Sequence, residues 1–144
     1  MLDAELQRLV TDEIEALHRD FEAWFRGELD DLKRVRLSLS YDFTFISPRG
    51  DTVGYDKLMD GLEQARGSRD IRIRIERVQV RWKAAHAVLA TYEEWHDHAD
   101  YSTGRQTTVL LCVEESTPGG LLWRHVHETW ITPPPTWVVP NPAE

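Results

Sequence analysis

Cysteine is nearly missing from this chain: its 144 residues hold one, Cys112. A single thiol closes no internal disulfide, which excludes the stapled secreted scaffolds and fits a reducing compartment. Positive charge is also scarce. Lys and Arg number 17 against 25 Asp and Glu, for a net charge of -8. Such a chain lacks the phosphate-neutralising excess from which nucleic-acid affinity comes. No apolar run approaches the roughly 20 residues of a membrane-spanning helix. The opening Met1-Leu2-Asp3-Ala4-Glu5 carries acid where a signal peptide carries base. A cytoplasmic protein with no nucleic-acid or membrane partner is expected. Missing too are a glycine-rich phosphate loop, a nucleophile elbow and a zinc-spaced Cys/His set, so kinase, nucleotide-binding and serine-hydrolase readings have no support.

What is present is ordered by period. Leu2, Leu6, Leu9, Val10, Ile14, Leu17, Phe21, Trp24 and Phe25 recur at helical spacing, opposite Asp3, Glu5, Arg8, Asp12, Glu15, Arg19 and Glu22. This is one long amphipathic helix, closed by Gly27 as its C′ residue. Short helices are predicted near 31–37 and 55–66, and a strand over 41–47. From there the chain reads as strand. Ile71, Ile73 and Ile75 alternate with charge, and the apolar parity then flips to Val78, Val80 and Trp82. One extra residue in a strand inverts its face, so the flip predicts a β-bulge. Further strands are predicted near 87–96, 106–115 and 121–131, before Pro133-Pro134-Pro135 ends the sheet. One domain over 1–132 and a Pro-rich tail over 133–144 are expected. Helices followed by a strand meander make the class α+β.

Four segments carry a family resemblance: Phe21-Glu22-Ala23-Trp24-Phe25-Arg26-Gly27, Phe43-Thr44-Phe45-Ile46-Ser47-Pro48-Arg49-Gly50, Thr91-Tyr92-Glu93-Glu94-Trp95, and the closing Trp123-Arg124-His125-Val126-His127-Glu128-Thr129-Trp130. Together, over about residues 5–132, they resemble the nuclear transport factor 2-like superfamily in its SnoaL-like branch of small bacterial proteins. Thr129 and Ile131 depart from the His and Ser that the branch often carries there. The resemblance implies a cystatin-like cone, with the long N-terminal helix packed on the concave face of a strongly bent antiparallel sheet, and frequent homodimers. Its members range from isomerases, dehydratases, epoxide hydrolases and polyketide cyclases to non-catalytic association domains, so the fold does not choose the chemistry.

The association-domain relatives imply which faces look into the cone: Arg124, Val126, Glu128 and Trp130 on the last strand, and Thr91 and Glu93 on an earlier one. Period two then adds Leu89 and Trp95. On that assignment Glu93 and Glu128 are the candidate catalytic acid/base pair, because burial and mutual repulsion raise a carboxyl pKa toward neutral. Thr91, Trp95, Arg124 and Trp130 would bind the substrate, an apolar or aromatic small molecule. The competing reading pairs each carboxylate with an Arg, such as Arg124 or Arg105, as sheet structure. Asp42 is a weaker third candidate.

His96-Asp97-His98 and His125-Val126-His127 put imidazoles about 7 Å apart on one strand face, but a metal would want a third ligand and none is assigned. Arg72, Arg74, Arg77 and Arg81 read as a charge-studded edge strand. Cys112 reads as a structural thiol. The opposite sheet face, taken to carry Tyr92, Trp123, His125 and His127, is the expected homodimer surface. Two functions stay open: a cofactor-free lyase or isomerase using acid/base carboxylates, and a non-catalytic ligand-binding or dimeric association domain.

Overall fold

A computed structural model describes residues 3–138. Leu2 of the helical stripe and the tail residues 139–144 lie outside the described residues. Helix α1, Asp3–Phe25, buries Leu6, Val10, Ile14, Leu17, Trp24 and Phe25. It ends as expected at Gly27, whose φ is +78°. The Gly27 amide donates to the Trp24 carbonyl at 3.0 Å and the Glu28 amide to the Ala23 carbonyl at 2.7 Å. That pair of bonds is a Schellman closure, and its left-handed residue favours glycine.

The rest follows as α2 (Lys33–Ser38), β1 (Leu39–Ile46), β2 (Thr52–Gly54), α3 (Tyr55–Gln64), β3 (Arg72–Lys83), β4 (Ala87–Asp97), β5 (Ser102–Val113) and β6 (Leu121–Thr132). The six strands form one curved, unclosed sheet in the order β2-β1-β6-β5-β4-β3. All neighbours are antiparallel except β1 and β6, which run parallel. The class is α+β, with the cone expected of it. The parallel pair corrects the wholly antiparallel sheet, because β1 leaves α2 in the direction of β6.

Bulges set the faces. Pairing on β3 steps from Glu76 opposite Glu93 to Gln79 opposite Thr91, one residue more than on β4. Arg77 absorbs the excess with φ of +54°, which is the bulge the parity flip predicts. A second shift between Val80 and Trp82 turns the strand again. Trp82 therefore leaves the apolar face and stands 56% exposed. On β6 the register slips between Leu110 opposite His125 and Leu111 opposite Trp123. Arg124 is the extra residue, so Trp123 and Val126 both point inward and are buried.

Edge strand β3 is held by α1. Gln7 donates to the Val78 carbonyl at 2.7 Å and accepts from the Val80 amide at 3.0 Å. Glu22 accepts from the Ile73 amide at 2.7 Å. Each arginine of β3 also has a local partner: Arg72 Glu22, Arg74 Asp97, Arg77 Glu93 and Arg81 Thr91. A charged edge with three of its backbone groups taken up by α1 is a poor template for another strand.

Candidate functional site

Between α1 and the concave face lies a cavity of about 130 Å³. Phe21, Phe25, Phe43 and Leu62 line its apolar end, and Tyr92, Trp123 and Val126 supply the sheet wall. At the other end stand His18 from α1, Glu94 and His96 from β4, Arg105 from β5 and Glu128 from β6. All five are buried. His18 falls one turn after Ile14 on the helix stripe, and Glu94 and His96 continue the inward alternation Val88, Ala90, Tyr92.

The hydrogen bonds assign the protons. His18 Nδ1 lies 2.7 Å from the Ile14 carbonyl oxygen and its Nε2 lies 2.8 Å from Glu94 Oε1. Both partners are acceptors, so both nitrogens donate and the ring is an imidazolium. Burial lowers its pKa, but the Glu94 charge and the two hydrogen bonds outweigh this and raise it above the usual value. His96 Nε2 donates to Glu94 Oε2 at 2.6 Å, while its Nδ1 faces the Arg105 guanidinium at 3.4 Å. One donor and one acceptor make that ring neutral, and burial with the Arg105 charge lowers its pKa. Burial disfavours the Glu94 carboxylate, yet the charge and hydrogen bond of His18, with His96, hold its pKa well below the ordinary range.

Glu128 is the opposite case. Burial and then the Glu94 charge raise its pKa to about 8, against the opposing pull of Arg105 and His18. Thr107 donates to its Oε2 at 3.4 Å. Its Oε1 makes no hydrogen bond and lies 3.5 Å from an Arg105 nitrogen. A neutral carboxyl beside a cavity can give up a proton near neutral pH and take it back.

Of the residues expected at the site, Glu128 lines this cavity and Glu93 does not. Glu93 lies on the other face of β4, where it accepts from Arg77 at 2.8 Å and from the Trp95 indole at 3.1 Å. Thr91 accepts from Arg81 there at 2.8 Å. Trp95 lies against Gly104, so close that a Cβ on that residue would meet its ring at 2.5 Å. The face implied for β4 was one residue out of phase. Arg124, displaced by the β6 bulge, pairs with Asp42 at the surface. Trp130 is half-buried, with the Arg105 guanidinium 5.0 Å from its ring centre. Tyr92 and Trp123, expected on the outer face, are each 1% exposed inside the cone. Of the supposed dimer surface, that leaves the two histidines of β6 outside.

Among the described residues no group of three His, Cys, Asp or Glu side chains is placed to hold a metal. His125 hydrogen-bonds Thr44 at 2.6 Å, and His98 stacks on Tyr101 at 4.2 Å.

No acid/base role is expected of His18, Glu94, His96 or Arg105 from the sequence, where His96 enters only through its histidine pair and Arg105 only as a structural partner of a carboxylate; yet a signal for the cavity exists in three of them. His18 occupies a stripe position of α1. On β4 the phase Val88, Ala90, Tyr92 is wholly apolar, whereas Leu89, Thr91, Glu93 is mixed. The apolar phase carries Glu94 and His96 inward.

Residues 13–132 match the family described as Sucrose-6-phosphate phosphohydrolase C-terminal. The chain belongs to this family. Among curated relatives, Sucrose-phosphatase 1 of Nicotiana tabacum is 26% identical over a 140-residue alignment that covers 91% of this chain and 33% of that protein. This member of the sucrose-6-phosphate phosphohydrolase C-terminal family thus spans about a third of the length of the curated relatives it matches. Solved structures show the fold to be nuclear transport factor 2-like. An NTF-2 like protein of unknown function from Pseudomonas aeruginosa superposes with a TM-score of 0.78 at 24% identity, covering 85% of this chain and 98% of that one. The association domain of C. elegans CaMKII superposes at 0.72 and 10% identity, covering 88% and 97%.

Proposed function

We propose that this chain is a small-molecule pocket domain whose cavity performs cofactor-free acid/base chemistry of the lyase or isomerase kind. The supporting observation is Glu128: buried at the wall of a cavity, with burial and then the Glu94 charge raising its pKa to about 8. Glu128 is the proton-transferring group. The His18–Glu94–His96 chain fixes the charge state around it, so that burial first, and the Glu94 charge second, keep Glu128 protonated. The resemblance of the closing strand to the SnoaL-like branch supports the same reading, and the single cysteine supports a cytoplasmic setting. The test follows α-proton exchange of small ketones, cyclohexanone among them, by NMR in D2O. The wild type should accelerate exchange and the Glu128→Gln variant should not. Equal rates for the two proteins would contradict the reading.

A second reading rests on the chain's coverage of only a third of its curated relatives and on the likeness to an association domain. In it the domain joins copies through the outer sheet face, where Trp95, His125 and His127 lie. Sedimentation at micromolar protein should then show a dimer. A lone 16.8 kDa species would contradict it.

A further inference from the structure

The polar end of the cavity is unusual in an acidic protein because its own charge is positive. Arg69, Arg105 and the His18 imidazolium contribute three positive charges to the lining, and the Glu94 carboxylate contributes one negative. His96, Tyr92 and the protonated Glu128 contribute none. The chain around them has a net charge of -8.

Arg105 is poorly engaged for a buried arginine. It is 4% exposed, and its contacts to His96 and Glu128 are 3.4 and 3.5 Å long. Charge-assisted bonds of this kind normally close to about 2.7–2.9 Å. Its Nε makes no hydrogen bond, and neither does Glu128 Oε1. Both side chains line the cavity, and a buried polar group that its neighbours leave partly unsatisfied favours an occupant able to pair with it. The walls beyond them are Phe25, Phe43 and Leu62. The volume, about 130 Å³, approaches the roughly 150 Å³ that accommodates a benzene ring.

We propose that the cavity takes a small organic monocarboxylate, its anion held by the Arg105 guanidinium and the Glu128 carboxyl, its one-ring aromatic or alkyl body against Phe25, Phe43 and Leu62. This rests on the reading of the cavity as a ligand site and names the ligand class. A planar guanidinium matches a carboxylate in two parallel bonds. A phosphate fits less well, because Glu94 on the same wall opposes a second negative charge. Glu128 donates its proton to the bound anion. The groups that face it are His18 from α1, Glu94 and His96 from β4, Arg105 and Thr107 from β5, and Arg69 from the α3–β3 loop.

Calorimetry on the full chain with benzoate, benzamide and inorganic phosphate tests the proposal. Benzoate should bind about tenfold or more tighter than benzamide near pH 6.5, the worth of one charge-assisted pair. The advantage should shrink near pH 9, where Glu128 is ionised. Arg105→Gln should remove the preference for benzoate; should that variant not fold, the wild-type benzoate–benzamide comparison decides alone. Benzamide binding as tightly as benzoate would overturn the anion assignment and leave the ligand site standing. Phosphate binding more tightly than benzoate would overturn it in favour of another anion. No binding of any probe would overturn both.

Discussion

Glu94 and Glu128 face the same cavity in opposite protonation states. The first is held as a carboxylate by His18 Nε2 at 2.8 Å and His96 Nε2 at 2.6 Å. The second, with Arg105 no nearer than 3.5 Å, is pushed up to about 8 by burial and by the charge of the first. Two carboxyl groups whose surroundings drive their pKa values apart are the physical basis of an acid and base assignment.

The two faces of β4 therefore respond differently to the loss of one charge. Glu94→Gln strands a buried imidazolium and should cost on the order of 3 kcal/mol or more. Glu93→Gln loosens a pair with Arg77, whose side chain is 73% exposed, and should cost under about 1 kcal/mol. Paired thermal melts at pH 7 read both. A larger loss for the Glu93 variant would mean that the face assignment is wrong.

Much of the fold was legible and much of the site was not, for one physical reason. Helix α1, its Gly27 closure and the Arg77 bulge each write a local signature: a stripe, a left-handed residue, a parity flip. Which face of a strand looks inward depends on every bulge along it and its neighbours. The extra residue at Arg124 leaves no parity flip that stands out among Trp123, Val126 and Trp130, and the second shift before Trp82 likewise has no apolar pattern to betray it. The β4 face was carried over from distant relatives, and a one-residue error in that transfer exchanges Glu94 and His96 for Glu93 and Trp95. Glu128 lines the cavity because its strand keeps simple alternation from Val126 onward. Arg105 follows a register irregularity next to Gly104 and had no local signal.

Stability should carry the imprint of Glu128. Its folded pKa, about 8, exceeds the ordinary 4.5 of the unfolded chain. Between those values the folded protein keeps a proton that the unfolded chain has released, so stability falls as pH rises across that window. The contribution is complete below 4.5 and gone above about 8. His18, also raised, adds to the decline above its ordinary value; Glu94, lowered, affects only the acid side. Relative to Glu128→Gln, the wild type should lose on the order of 3 kcal/mol between about pH 5 and pH 8. Parallel melting curves across that range would refute the shift.

The edge strand depends on Gln7. Gln7→Ala removes one acceptor and one donor from β3, at about 1–2 kcal/mol in all. Amide exchange at Val80 should accelerate by about tenfold or more, while exchange at the β5–β6 pairs should follow the global change alone. Unchanged protection at Val80 would show that α1 does not hold this edge.

The most direct measurement is the ionisation of Glu128 itself. Carbon-detected NMR of the chain labelled at glutamate side-chain carboxyls, with Glu128 assigned from the Glu128→Gln spectrum, gives its titration residue by residue. The midpoint should lie near 8 for the empty cavity, with Glu94 ionised throughout the neutral range. A Glu128 midpoint in the ordinary range near 4.5 would mean that the cavity holds two carboxylates and no proton to transfer, and would contradict the central claim.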